Sequence, residues 1–275
     1  MFITSVLASL LLPSLAAAQK PTVNSLRDLE LCNGSKRSSL DSRILGCSTL
    51  INSHETTTAA LSISYNNRGN AYVAKSDYDR AIRDFNESIR LTPGFAKPYN
   101  NRGVAYILKG EYDLAIETLD QAIRLDPGYA KAFANRAEAY LKKNEYDRAS
   151  PDLDEAISLM PDLDQVWNGR CWTKAVLGAL QAALKDCSRA LNSELNKAAT
   201  YDSRGMVHLK MGEFDAAIED YSSALTFDPR LASSLYGRGL ARLKNGDSTG
   251  ANLDISAAKE IRSTIAEDFL RYGVQ

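Results

Sequence analysis

Apolar and small residues recur along this chain at a spacing of 34 residues. Six contiguous units begin at Ser62, Ala96, Ala130, Asp164, Ala198 and Ala232, and the last ends at Ile265 with no insertion between them. The fourth place of each unit is large and apolar: Tyr65, Tyr99, Phe133, Trp167, Tyr201 and Leu235. The eighth is small: Gly69, Gly103, Ala137, Cys171, Gly205 and Gly239. The twentieth is Ala throughout, from Ala81 to Ala251, and the twenty-seventh is Ser88 or Ala. Spacings of three and four put these places on one helical face, so each unit is predicted to hold two helices. A break falls near the fifteenth place, where Gly110, Asn144, Gly178, Gly212 and Gly246 suit a left-handed helix end. Pro93, Pro127, Pro161 and Pro229 then stop the second helix. Small residues at the eighth and twentieth places let the two helices approach. Large ones at the fourth and twenty-fourth (Phe85, Leu119, Leu153, Tyr221, Ile255) fill the space between neighbouring pairs. No pair buries its apolar face alone, so the units must stack into an all-α solenoid.

The units span 62–95, 96–129, 130–163, 164–197, 198–231 and 232–265. Before them, residues 19–61 read as a leader plus one capping helix, DSRILGCSTLINS at 41–53, that covers the open end of unit one. Behind them, unit six lacks the terminal Pro, so its helix Ala251–Arg262 runs on or kinks into a C-terminal cap at 266–275. The first eighteen residues form a separate segment. An apolar run from Phe2 to Leu15 is followed by Ala16-Ala17-Ala18, which reads as a signal peptide cut after Ala18, the alternative being a buried N-terminal helix. The run is too short to span a bilayer. The expectation is an exported protein, periplasmic or secreted.

Export changes the meaning of the four cysteines, which in an oxidising compartment read as two disulfides. Cys32–Cys47 would tie the leader onto its cap, and a loop of that size contributes about 3 kcal/mol. Cys171 and Cys187 hold the eighth and twenty-fourth places of unit four. If the helices reverse near the sixteenth place they lie opposite each other, the alternative being two buried thiols.

The 275 residues carry a net charge of −1 and no Lys/Arg-rich block, which argues against nucleic acid or an anionic membrane surface as partner. Nor is there a catalytic or cofactor motif. The two histidines, His54 and His208, form no HExxH, and no GxxxxGK[ST], GxSxG or CxxC occurs. The chain therefore reads as non-enzymatic, with no metal and no cofactor. His208 stands at the eleventh place, where other units have Tyr72, Tyr106 and Tyr140, and reads as packing. The seventh place is always Arg (Arg68, Arg102, Arg136, Arg170, Arg204, Arg238), and the twenty-third is Asp in five units (Asp84, Asp152, Asp186, Asp220, Asp254). An Arg–Asp ladder within or between adjoining units is expected.

Taken together, these recurring places resemble the tetratricopeptide repeat over 62–265. Unit four departs most, with Leu195 for the terminal Pro and Lys174 for the aromatic. The resemblance implies a right-handed solenoid whose first helices line a concave groove, and a usual role in binding peptides or other proteins. Asn67, Asn101 and Asn135 hold the sixth place of three successive units; Asn66, Asn100 and Asn168 hold the fifth, and Asn70 the ninth of unit one. Such a row is similar to the asparagine ladder of O-linked N-acetylglucosamine transferases. Asn70, Asn101 and Lys131 also match the residue types of the carboxylate clamp of chaperone-binding relatives, while Asn66 and Asn135 stand where that clamp is basic. Trp172, at a ninth place, faces the groove by the family geometry. The candidate partner-binding residues are thus Asn66, Asn67, Asn70, Asn100, Asn101, Lys131, Asn135 and Trp172. Local helix capping by the asparagines and packing by Trp172 are the alternatives. A structural or assembly subunit, working through its ends or convex face, is the second class of function.

Overall fold

The computed structural model describes residues 25–34, 38–53 and 57–274, so the expected signal at 1–18 and His54 lie outside the described residues. It is an all-α solenoid, with no strand among the described residues. Two helices, α1 (Ser25–Asn33) and α2 (Leu40–Asn52), precede the repeats. The units follow as α3 (Thr58–Ala74) with α4 (Tyr78–Leu91), α5 (Ala96–Lys109) with α6 (Tyr112–Leu125), and α7 (Ala130–Lys142) with α8 (Tyr146–Leu159). The last three are α9 (Asp164–Val176) with α10 (Leu180–Ala190), α11 (Lys197–Met211) with α12 (Phe214–Phe227), and α13 (Ala232–Lys244) with α14 (Ser248–Ile261). The chain ends on α15 (Ile265–Arg271).

The turn within each unit has one solution. The fifteenth place is left-handed in all six, with φ of 59° at Ser76, 80° at Gly110, 59° at Asn144, 86° at Gly178, 77° at Gly212 and 91° at Gly246. Ser76 takes this conformation without being glycine or asparagine, so the packing of the pair, and not the residue alone, sets it. Across the turn the large twenty-fourth side chain lies against the backbone of the eighth place. A Cβ added to Gly69 would stand 2.6 Å from Phe85, and one added to Gly103 would stand 2.6 Å from Leu119. Unit four replaces this large-on-small contact by Cys171 and Cys187, at disulfide distance with Cα atoms 5.2 Å apart.

The N-terminal cover differs from expectation. The expected capping helix is not alone, because part of the leader forms α1, which packs directly on α2. A Cβ on Gly46 would meet the Leu31 Cβ at 2.6 Å, so this helix pair crosses closely, and Cys32 and Cys47 lie buried at disulfide distance within it. One nine-residue helix is too short for its period to show in the sequence. At the other end α14 stops at Ile261 and the chain kinks, so that α15 turns back onto α13.

Curvature follows from which helices touch. Every first helix contacts the next first helix from α3 to α13, and α1 contacts α3, whereas no second helix contacts the next second helix from α4 to α14. The first helices therefore line the inner face and the second helices the outer one.

Candidate functional site

Between the helices of each pair runs the Arg–Asp ladder. In units one, three, four, five and six the Arg Nε and Nη2 donate to the two carboxylate oxygens of the Asp in the same unit, at 2.6 to 2.8 Å. Nη1 reaches back to the twenty-fifth place of the preceding unit, from Arg102 to Asn86, Arg136 to Asp120, Arg170 to Asp154 and Arg238 to Ser222. The twenty-third-place Asp side chains are buried, so these pairs join the two helices of a unit and are not solvent-exposed sites, while the Nη1 contacts join neighbouring units. Unit two breaks the rule. Its twenty-third place is Thr118, and the buried Arg102 Nε has no partner. His208 is drawn into the same network: its Nδ1 is 2.6 Å from Glu213 Oε2, and its Nε2 lies 3.6 Å from Asp220 Oδ2.

The inner face of the first three units carries a continuous chain of carboxamides. Asn135 Nδ2 donates to Asn100 Oδ1 at 2.8 Å, and Asn100 Nδ2 to Asn101 Oδ1 at 3.2 Å. Asn101 Nδ2 donates to Asn66 Oδ1 at 2.9 Å, and Asn66 Nδ2 to Asn67 Oδ1 at 3.3 Å. Asn67 Nδ2 closes the run on Asn33 Oδ1 at 3.1 Å. The fifth-place amides Asn66 and Asn100 are buried, and the sixth-place Asn67, Asn101 and Asn135 are half-buried. The side chains bond to one another instead of capping their own helices. Asn33 was not among the expected residues; its place 34 residues before Asn67 is the signal that would have found it. A primary amide has two N–H donors and two acceptor lone pairs. The run uses one of each on Asn67 and Asn101, which leaves a spare donor and a spare lone pair on the half-exposed amides. Asn70 is half-buried and Lys131 exposed, and neither side chain makes a hydrogen bond among the described residues.

The run stops where its residues do. The next places would be Ala134 and Gly169, which have no amide. Beyond this point the inner face belongs to the C-terminal segment. Phe269 is buried against Tyr236, with ring centroids 4.9 Å apart. Tyr272 meets Trp172 edge-to-face at 4.8 Å, so Trp172 packs against this chain's own terminus. Lys210 Nζ donates to the carbonyls of Ala175 and Tyr272, each at 2.7 Å, and burial lowers its pKa. Asp202 is buried below these groups and accepts from Ser233 Oγ at 3.0 Å and Ser234 Oγ at 2.5 Å. Burial lifts its pKa to about 6.

Among the described residues, no cluster of His, Cys, Asp and Glu is placed to hold a metal ion, and no helix is long and apolar enough to cross a membrane.

Models of the tetratricopeptide repeat match residues 66–130 and 106–170, and a further TPR repeat model matches 205–246. The fold is similar to that of YrrB, described as a TPR protein with an unusual peptide-binding site, at 21% identity over 68% of this chain and 95% of that one, with a TM-score of 0.53. It is also similar to a tetratricopeptide repeat protein from Parabacteroides merdae, at 16% identity over 90% and 99% of the two chains and a TM-score of 0.62. The Pseudomonas aeruginosa pilF protein aligns at 18% identity over 77% and 95%, again with a TM-score of 0.62. No curated protein matches the sequence.

Proposed function

The chain belongs to the tetratricopeptide-repeat family, and from that premise we propose that it is an exported, non-catalytic module that binds a peptide or protein on the inner face of units one to three. One observation carries the reading: Asn67, Asn101 and Asn135 stand in line on successive first helices, half-exposed and joined into one run of amides. A spaced row of spare donors and acceptors suits the alternating N–H and C=O groups of an extended backbone. Asn70 and Lys131 flank the row with no internal partner and would supply contacts to side chains. The peptide-binding site described for YrrB is consistent with such a use of the fold. Export is supported by the apolar run before Ala18 and by two cysteine pairs at disulfide distance.

The test begins with the side chains that the amide run does not need. Asn70→Ala with Lys131→Glu should melt like the native chain and recover less partner from an extracytoplasmic extract. Asn67→Ala, Asn101→Ala and Asn135→Ala together should abolish recovery with helicity retained. Unchanged recovery in both variants would reject the inner face as the binding surface, and loss only on deleting residues 19–61 would move the function to the N-terminal cover. Mature protein beginning elsewhere than Gln19 would reject the expected cleavage.

A further inference from the structure

Most buried carboxylates in this protein have a cation beside them. Asp84, Asp152, Asp186, Asp220, Asp254 and Asp268 each form an ion pair with an Arg, and several with a second base. Asp202 is equally buried and has two serine hydroxyls instead. The cation whose charge acts on it, Arg262, spends its Nη1 on Asp268 at 3.3 Å. Asp202 does not sit in solid core. It lines a cavity of about 320 Å³, together with Asn168, Trp172, Ser203, Arg262 and Tyr272. In the same cavity wall Asn168 Oδ1 is sealed from solvent and has no hydrogen-bond partner. A buried acceptor left unmade costs about 1–3 kcal/mol.

The cavity is the inner groove of units four to six after the terminal segment has roofed it. Its walls come from Leu141 on α7 and from α9, α11 and α13, and its roof from Arg262, Ile265 and Tyr272. We propose that this roofed groove is a second binding site, distinct from the amide row, for a single primary ammonium group carried on a short apolar stem. Asp202 supplies the countercharge. The edge-to-face pair Trp172 and Tyr272, with Leu141 and Ile265, gives the stem apolar walls and the charge an aromatic neighbour. One free carboxylate calls for a monocation and leaves a divalent metal ion undercoordinated. Tyr272, packed on Trp172 and held by Lys210, lies across the groove, and a site of this size takes one side chain or one small molecule. A lysine side chain and a free alkylamine share this chemistry.

The site should depend on pH. The groups facing Asp202 from neighbouring elements are Arg262 after α14 and Tyr221 on α12, with Ser233 and Ser234 on α13. Burial favours the neutral acid, and an ammonium ligand favours the carboxylate. Affinity should be level above about 6, the value to which burial lifts this carboxyl, and weaken below it by about tenfold per pH unit.

The experiment uses the full chain carrying Trp167→Phe, which leaves Trp172 as the fluorescent reporter and keeps an aromatic at the fourth place, as Phe133 does. The probes are n-butylammonium and an end-capped alanine pentapeptide with one central lysine. Their controls are n-butanol and the same peptide with norleucine. A saturable change with both amine probes and neither control supports a site for lysine side chains. A change with n-butylammonium alone supports a free amine. A response to n-butanol equal to that of the amine, or no saturable response to either amine, overturns the proposal. Asp202→Asn should weaken n-butylammonium at pH 7.5 by at least about tenfold, the loss of a charge-assisted contact. Unchanged affinity overturns it. If that variant melts too low to assay, the pH series on the Trp167→Phe chain decides, and a flat profile from pH 5 to 8 overturns the proposal.

Discussion

Units one to three and units four to six share one scaffold and differ on the inner face and at the eleventh place. In the first half that place is Tyr72, Tyr106 and Tyr140; in the second it is Lys174, His208 and Arg242. Lys174 and Arg242 turn onto the Asp of their own unit, at 2.9 and 2.8 Å. The fifth and sixth places are paired asparagines in units one and two, and become Asn168/Gly169, Asp202/Ser203 and Tyr236/Gly237 in the last three. The first half leaves its inner face open and polar, with amides bonded across units; the second folds its own terminus over that face. The scaffold contacts recur in both halves with two departures, the cysteine pair of unit four and Thr118 in unit two. The fifth and sixth places are not held to one residue type by the repeat, and they diverge between the two halves.

The sharpest way to break the contrast is at the roof. Phe269→Ala should lower the unfolding free energy by about 3–5 kcal/mol, as truncating a buried aromatic does. Amide protection should be lost first in α13 to α15 and kept in α3 to α7, since repeats couple mainly to their neighbours. Uniform loss along the chain would show that the halves are not separable. Next comes unit four. Cys171→Ser with Cys187→Ser should cost about 3 kcal/mol in denaturant unfolding. Cys171→Gly with Cys187→Leu, which rebuilds the Gly103/Leu119 contact of unit two, should recover part of that loss.

A smaller effect separates the two kinds of asparagine. Asn100→Ala breaks the run in its middle and should cost about 1–2 kcal/mol, whereas Asn168→Ala removes an acceptor with no partner and should be neutral or stabilising. Equal costs would remove the distinction between the halves at this place. Smallest is a gain. Thr118→Asp gives Arg102 the partner that the other units provide, and should add about 1 kcal/mol at pH 7, or about 2–4 °C in melting temperature. The gain should disappear as pH falls through the carboxylate range.

The scaffold was legible in the sequence because stacking constrains many places at once. The 34-residue register, the break at the fifteenth place and the partnership of Arg68 with Asp84 all follow from positions that recur. The Cys171–Cys187 pair was legible because the register puts the two opposite each other, and Cys32–Cys47 because the two flank one short segment before the repeats. The functional layer was legible only in part. The asparagines stood out as a row, but Asn101 and Asn135 donate to the fifth-place amide of the preceding unit, a relation that spacing within one unit does not reveal. Asp202 gave no signal, since a single Asp at an inner place looks solvated until the terminal segment covers it. That segment was unreadable because its seven-residue helix has no period to compare, and its partners Trp172 and Lys210 lie far upstream.

The amide run has one further consequence. Every Nδ2 in it points the same way, from Asn135 toward Asn33. Turning any inner amide about its last torsion would set donor against donor on one side and acceptor against acceptor on the other. The orientations are therefore one collective choice and not six independent ones, and the inner face of the first half has a polarity. It ends in a carbonyl oxygen at Asn135 and an N–H at Asn33. A bound strand lying along it would meet an aligned array of amide dipoles, whose energy differs between the two directions in which the strand can lie.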